Sequence, residues 1–326
     1  MRLRRFVVTL AAVLAAIGGT APAWAQGTYP SAPVRLVVPY APGGPTDLVA
    51  RLVGQKLAES LGQPFVVDHR TGAGGNIGAE HVARAAPDGH TLLVITAAHT
   101  INMTLYANVT YDSVRDFAPI ALLVRAPMIL VTNPSVQAQS VADMLAMARA
   151  RPGEVSFSSA SIGASPHLAM ELLQHMAGVK LLHVPYRGSA PAMNALVAGD
   201  VSFMLDSMLT GLQMARGGRV RALAVSSARR SELAPEIPTI AETPGLAGFE
   251  TYTWYGVAAP ARTPEPIVRR LNAEINKALR LPDVRRRLLE QGVEPGDTTP
   301  EEFGAFIRAE VAKWSEVVRT SGARVE

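Results

Sequence analysis

Short apolar runs alternate with amphipathic segments along most of the chain. Runs at Val34–Pro39, Phe65–Asp68, Thr91–Ile95, Ile120–Val124 and Met128–Thr132 predict strands. So do Val155–Ser158, Leu181–Val184, Val201–Leu205, Val220–Val225 and Trp254–Ala258. Most are continuous rather than alternating, the pattern of strands buried on both faces under helices. The repeated strand-then-helix order predicts an α/β fold.

Helix boundaries are well punctuated. Thr299-Pro300-Glu301-Glu302 supplies an N-cap threonine, a proline at the first helical position and a capping-box glutamate. Phe303, Phe306, Ile307, Val311, Trp314, Val317 and Val318 follow at helical spacing and predict one core-facing side. Thr263-Pro264 opens a helix running to about Leu279, and Ser140 caps one running through Ala150. Gly62, Gly178, Gly199 and Gly292 stand where helices should end. No repeat of about 20–50 residues is visible. A chain of 326 residues suggests two domains. No low-complexity linker divides it, so the chain should cross between them more than once.

Composition narrows the class. Apolar residues make up 48% and charged residues 18%, which suits a buried core and excludes a disordered chain. The 27 Gly and 24 Pro are scattered without a G-x-y period, which excludes collagen and implies many tight connections. Cysteine is absent. That removes disulfides, thiolate nucleophiles, Cys-ligated zinc, iron–sulfur clusters and a lipidated cysteine anchor.

The net charge of +4 misleads. Arg2, Arg4 and Arg5 precede the uncharged run Phe6–Ile17, and Ala23-Trp24-Ala25 is a small-x-small site. This layout predicts a secretory signal peptide over residues 1–25, cleaved after Ala25. The apolar run falls short of the roughly 20 residues that a membrane span needs. Arg4-Arg5 hints at twin-arginine export, but Phe6 follows with no spacer. Cleavage removes three positive charges and leaves +1. A near-neutral mature chain has no electrostatic footprint for nucleic acid or an anionic membrane. A soluble exported protein is expected.

Candidate chemistry lies in the loops after strands, where ligands bind in open α/β sheets. Tyr40-Ala41-Pro42-Gly43-Gly44-Pro45-Thr46-Asp47 leads into a helix. Its glycines allow close backbone approach, and Thr46 and the helix amides offer donors to an anion. It reads equally as a tight turn capped by Thr46 or Asp47. Arg70-Thr71-Gly72-Ala73-Gly74-Gly75-Asn76-Ile77-Gly78 tempts a dinucleotide reading, but the register of G-x-G-x-x-G requires Gly where Ile77 stands. A small-anion loop or close packing remains, with Arg70 as a ligand cation or a strut. Ser161-Ile162-Gly163-Ala164-Ser165-Pro166-His167 opens another helix. Ser165 either caps it or faces a carboxylate, and His167 either donates into a cleft or is structural. Val184-Pro185-Tyr186-Arg187-Gly188 is a fourth junction, and Asp206-Ser207 ends an apolar strand. Asp206 either orients a loop or faces a ligand's donor group. Tyr40, Trp254 and Tyr255 flank a ligand body, or the last two are core.

Enzyme readings find little support. There is no G-x-S-x-G, no H-E-x-x-H and no P-loop, and the seven histidines contain no i,i+4 pair. Ser165, His167 and Asp206 can be written as a triad, but residues two apart on a helix point roughly 200° apart. No catalytic residue, metal site or cofactor is expected.

Together these loops resemble the solute-binding proteins of tripartite tricarboxylate transporters, the Bug family. The likeness spans the mature chain from Tyr29-Pro30-Ser31-Ala32-Pro33 to the closing Trp314 helix. Its most specific stretches are Pro42–Asp47, Gly72–Gly78, Ala86-Pro87-Asp88-Gly89, Val184–Gly188 and Leu271–Asn276. The resemblance implies a two-lobed periplasmic-binding-protein (flytrap) fold with two crossovers, each lobe a helix-covered, mainly parallel sheet. Lobe 1 would hold residues 26–126 and 250–326, and lobe 2 residues 127–249. It implies a periplasmic protein that captures a small carboxylate between the lobes and delivers it to integral-membrane transporter subunits. A ligand sensor of the same fold, feeding a two-component system, is the alternative. A monomer is the family default. The implied ligand-binding residues are Tyr40, Ala41, Pro42, Gly43, Gly44, Thr46, Asp47, Gly74, Asn76, Thr96, Ala98, Ser165, His167, Tyr186 and Asp206. Many members carry a hydroxyl residue where Ala164 stands and a small polar residue where Pro166 stands, so the second-lobe wall is reshaped here.

Overall fold

The computed structural model describes residues 29–40, 42–160, 162–186 and 188–325. The expected signal peptide with its cleavage site, and Ala41, Ser161 and Arg187, lie outside the described residues.

The chain order is β1 (Val34–Val38), α1 (Pro45–Leu61), β2 (Phe65–His69), α2 (Asn76–Ala83), β3 (Thr91–Thr96), α3 (Ala97–Leu105) and β4 (Phe117–Thr132). Then come α4 (Val141–Ala150), β5 (Ser156–Ser159), α5 (Ser165–Ala177), β6 (Leu182–Pro185), α6 (Ser189–Ala198), β7 (Phe203–Ser207), α7 (Met208–Arg216) and β8 (Arg221–Val225). The chain closes with β9 (Tyr252–Pro260), α8 (Glu265–Leu279), α9 (Pro282–Glu290), β10 (Glu294–Pro295) and α10 (Pro300–Ser321).

The strands follow the path β2-β1-β3-β9-β4-β7-β5-β6, with β8 and β10 also on β4. Parallel pairing joins β1 to β2 and β3, and β5 to β6 and β7. β4 and β9 run against their neighbours, so each lobe's sheet is mixed rather than mainly parallel. A parallel neighbour needs a covering crossover that returns the chain to the same end, whereas strands passing between lobes do not.

β4 is the main corrective to the strand pattern. Ile120–Val124 and Met128–Thr132 are parts of one 16-residue strand. Phe117–Pro127 pairs with β9 in the first lobe, and Met128–Thr132 pairs with β7 and β8 in the second. Arg125-Ala126-Pro127 breaks the apolar run without breaking the strand. The Arg125 guanidinium lies over Tyr252 and Phe306, 5.5 and 4.9 Å from their ring centroids. Its cation is thereby held against ring faces.

Each sheet is covered on both sides. On β1, Val34, Leu36 and Val38 join one apolar cluster with Val53 and Leu57 of α1, while Val37 joins another with Leu93, Ile95 and Trp254. On β4, Met128 and Leu130 face the cluster of Phe157 and Phe203, while Ile129 and Val131 face Met204 and Leu212. This two-sided burial is why the strands read as unbroken apolar runs. α10 spans both lobes. Phe303 and Ile307 pack in the first, and Trp314, Val317 and Val318 join a cluster that links Ile101 and Leu105 of α3 to the second-lobe core. Between them the buried Glu310 accepts hydrogen bonds from Trp254 Nε1 at 3.0 Å and Trp314 Nε1 at 2.8 Å, and pairs with Lys313. Among the described residues no helix is long and apolar enough to cross a membrane.

Candidate functional site

A cleft of about 650 Å³ opens between the lobes, within the size range of small-molecule sites. Tyr40, Pro42, Gly43, Gly44, Pro45 and Thr46 line it from the β1–α1 junction. Thr96, Ala97 and Ala98 line it from the start of α3, Ser165 from the start of α5, and Thr253 and Tyr255 from β9. A second chamber of about 280 Å³ adjoins it, sharing Pro45, Thr253 and Tyr255. Its walls include Leu48 and Gly292 from one lobe and Pro166, Ser189, Asp206 and Leu209 from the other.

The starts of α1, α3 and α5 therefore meet in one cleft. Helix N-termini carry free amides and partial positive charge, so three of them make a setting for an anion. No Lys, Arg or His lines either chamber among the described residues.

The first-lobe wall is fixed by its own side chains. Asp47 is buried, accepting from the Gly43 amide at 2.9 Å, Arg51 Nε at 3.0 Å and His69 Nε2 at 2.8 Å. Burial pushes its carboxyl up, but the Gly43 amide, Arg51 and His69 together hold it below the ordinary aspartate value. Asp47 thus fastens the glycine turn and is not among the lining residues. The N-cap of α1 is Gly44, so neither Thr46 nor Asp47 caps it. Tyr40 Oη lies 3.0 Å from Thr96 Oγ1, and burial pushes the Tyr40 phenol up to about 12. Thr96 in turn forms a reciprocal cap with His99, whose Nδ1 accepts the Thr96 amide at 3.0 Å. Burial holds the His99 imidazole down at about 4, so it is neutral at pH 7.

The glycine loop before α2 stands one layer behind. Asn76 Oδ1 accepts from Asn102 Nδ2 and Tyr111 Oη, both at 2.8 Å. Gly74 is left-handed (φ 65°), and a Cβ there would sit 2.6 Å from Tyr106 Oη. Neither Gly74 nor Asn76 lines the cleft. Arg70 is a strut, paired with Asp68 at 3.1 Å.

On the second lobe, the N-cap of α5 is Ala164, which frees the Ser165 hydroxyl to face the cleft. His167 turns away. Its Nδ1 accepts the Gly163 amide at 3.1 Å, and its ring stacks on His183 with centroids 3.9 Å apart. Tyr186 is half-buried against the second-lobe core and does not line the cleft. The written triad is not assembled: Ser165 faces the cleft, His167 engages His183, and Asp206 accepts from Ser189 Oγ at 2.7 Å. Trp254 and Tyr255 divide as neighbours on a strand must, Trp254 into the core and Tyr255 into the cleft.

Sequence reasoning missed Thr253, Leu209 and Gly292. Alternation from Tyr255 would have found Thr253. Gly292 was readable only as a helix end. In the structure its Cβ, if present, would lie 3.0 Å from the Leu209 backbone across the lobe boundary.

Comparison with known proteins agrees with this geometry. A sequence model of the family described as "Tripartite tricarboxylate transporter family receptor" (TctC) matches residues 49–323. Protein BugT of Bordetella pertussis is 37% identical over 100% of both chains. A solved structure, R. palustris Rpa4515 with adipate, is 38% identical with a TM-score of 0.75, covering 90% of this chain and 98% of its own. MatC (Rpa3494) from Rhodopseudomonas palustris with bound malate is 35% identical with a TM-score of 0.72, covering 89% and 100%.

Proposed function

The chain belongs to the tripartite tricarboxylate transporter receptor family of solute-binding proteins, and from that premise we propose that it captures a small carboxylate in the periplasm. The lobes, residues 26–126 with 250–326 and residues 127–249, close on the acid, and the protein delivers it to membrane subunits of a tripartite transporter. It acts as a monomer and carries out no chemistry on its cargo. The leader, residues 1–25, directs export.

One observation carries this reading. Three helix N-termini line a single cleft that holds no cationic side chain among the described residues. Dipoles of this kind contribute about 0.3–1 kcal/mol each, which suits a binder that must release its cargo. A buried bidentate arginine would hold more tightly. The adipate and malate of the two R. palustris structures are small acids of the class proposed.

The test is a thermal-shift screen of the purified protein with C4–C6 dicarboxylates, citrate, acidic amino acids, aromatic acids and uncharged analogues. A ligand at 100 times its Kd adds about 2.7 kcal/mol and raises Tm by a few degrees. A shift confined to acids supports the reading. Equal shifts with uncharged analogues, or none with any acid, overturn it. Loss of uptake on deleting the membrane subunits tests the delivery step.

A further inference from the structure

The inner chamber contains a polar feature that carboxylate capture does not use. Asp206 stands at the end of β7 and is 4% exposed. Its Oδ1 accepts from Ser189 Oγ at 2.7 Å. Its Oδ2 has no hydrogen-bond partner among the described residues. The surrounding wall is largely apolar, with Leu48, Val49, Pro166, Met208 and Leu209, and contains no cation among the described residues.

A buried carboxylate oxygen without a donor is costly, and native structures rarely leave one without a purpose. Here the missing donor has a natural source. The chamber adjoins the amide-lined cleft at Pro45, Thr253 and Tyr255, which sets Asp206 beside the place proposed for the carboxylate. We infer that Asp206 Oδ2 is a specificity-determining acceptor that selects acids carrying a hydrogen-bond donor, hydroxyl or ammonium, at the end remote from the bound carboxylate. This rests on the carboxylate reading of the outer cleft. The two ends are complementary in sign: helix N-termini take the anion, and Asp206 takes the donor. A second carboxylate at the inner end meets a like charge in a poorly screened cavity. A methyl end fills the chamber but leaves Oδ2 unpaired. Sites built to hydrogen-bond a ligand group discriminate strongly against analogues lacking it, because the site's own group is then stranded.

The test compares, by titration calorimetry at pH 7.5, matched C4–C6 series: ω-amino acids, ω-hydroxy acids, dicarboxylates and n-alkyl acids. At the preferred length, amino or hydroxy acids should bind at least tenfold tighter than the dicarboxylate and the alkyl acid. Asp206→Asn presents an amide that can donate. It should weaken the ω-amino acid about 100-fold and tighten the dicarboxylate about tenfold. Ser189→Ala, which leaves Asp206 in place, should preserve the rank order and serves if Asp206→Asn does not fold. The inference is overturned if the dicarboxylate or alkyl acid binds as tightly as its donor-bearing counterpart, or if Asp206→Asn leaves the order unchanged. Binding of acids without regard to the remote end overturns this inference alone. Binding of no acid, to wild type or variant, overturns the carboxylate reading and this inference together.

Discussion

The two walls of the cleft are built on different principles. On the first lobe the polar side chains largely satisfy one another: Asp47 with Gly43, Arg51 and His69, Tyr40 with Thr96, and Thr96 with His99, whose Nε2 is the one atom of this set without a partner among the described residues. What that wall offers a ligand is backbone and helix dipole. On the second lobe, the Ser165 hydroxyl caps no helix and Asp206 is half-satisfied. Self-satisfied side chains make a rigid wall that reads a carboxylate whatever is attached to it. Unsatisfied side chains make a wall that reads the attachment. On the proposed function, affinity for the class and choice within the class therefore fall to different lobes.

The largest effect should come from separating the walls. Glu310 holds Trp254 of β9 and Trp314 of α10 through one carboxylate oxygen. Glu310→Ala strands two buried indole N–H groups, each costing about 1–3 kcal/mol. Urea denaturation should show a loss of about 3–5 kcal/mol, with a changed tryptophan emission in the folded baseline. A loss under about 1 kcal/mol would show that the two halves of α10 are held by apolar packing alone.

Next in size is the first-lobe wall itself. Asp47→Ala removes three hydrogen bonds to an ionised group, on the order of 3 kcal/mol. The glycine turn should loosen, and calorimetry should show every acid weakened by a similar factor. A change in rank order among acids would break the division of labour between the walls.

Acid should test the walls through their buried imidazoles. Burial holds both His99 in the first lobe and His183 in the second at about 4, against 6.5 when unfolded. Between these values the unfolded chain takes up protons that the folded chain refuses, so stability falls as pH drops from 6.5 to about 4. His99 is fully buried, and it accounts for about 3 kcal/mol across that window. His183 is half-buried and stacks on both Phe157 and His167, so its share is smaller. Asp47 acts lower: its carboxyl is held down, and the stability it gives above pH 4 is lost on further acidification. Urea midpoints at pH 7.5, 6 and 5 should fall in order, and His183→Gln should flatten the slope in part. A flat profile would mean that neither imidazole is forced neutral by folding.

Much of this was legible in the chain, for identifiable reasons. Leu92-Leu93-Val94-Ile95 read as a strand because both its faces are buried, and Thr299 with Glu302 read as a helix start because the cap is local. The β4 strand was divided because Arg125-Ala126-Pro127 resembles a turn, and only pairing with distant β9 keeps it extended. The same contrast runs through the site. Gly44, Thr96, Ala98 and Ser165 lie at strand–helix junctions, which sequence marks well. Asp47, Asn76 and His167 carry chemistry by type, yet neighbours distant in sequence engage them. Leu209 and Gly292 carry no chemistry by type, yet they meet where the lobes touch.

The smallest effect sharpens the comparison most. Ser165 is the second-lobe residue nearest in kind to the first-lobe wall, a hydroxyl at a helix start in the outer cleft. Ser165→Ala removes one hydrogen bond from a neutral hydroxyl to the charged carboxylate, worth about 1.5 kcal/mol, the low end for bonds to charged groups, or roughly tenfold in Kd. Its hydroxyl caps nothing, so Tm of the unliganded protein should stay within about a degree. If Ser165 touches only the carboxylate, every acid should weaken by the same factor, as for the first-lobe wall. If the factor varies with the remote end of the acid, the boundary between the walls lies in the outer cleft rather than at the inner chamber. The division then follows the lobes themselves and not the depth of the site.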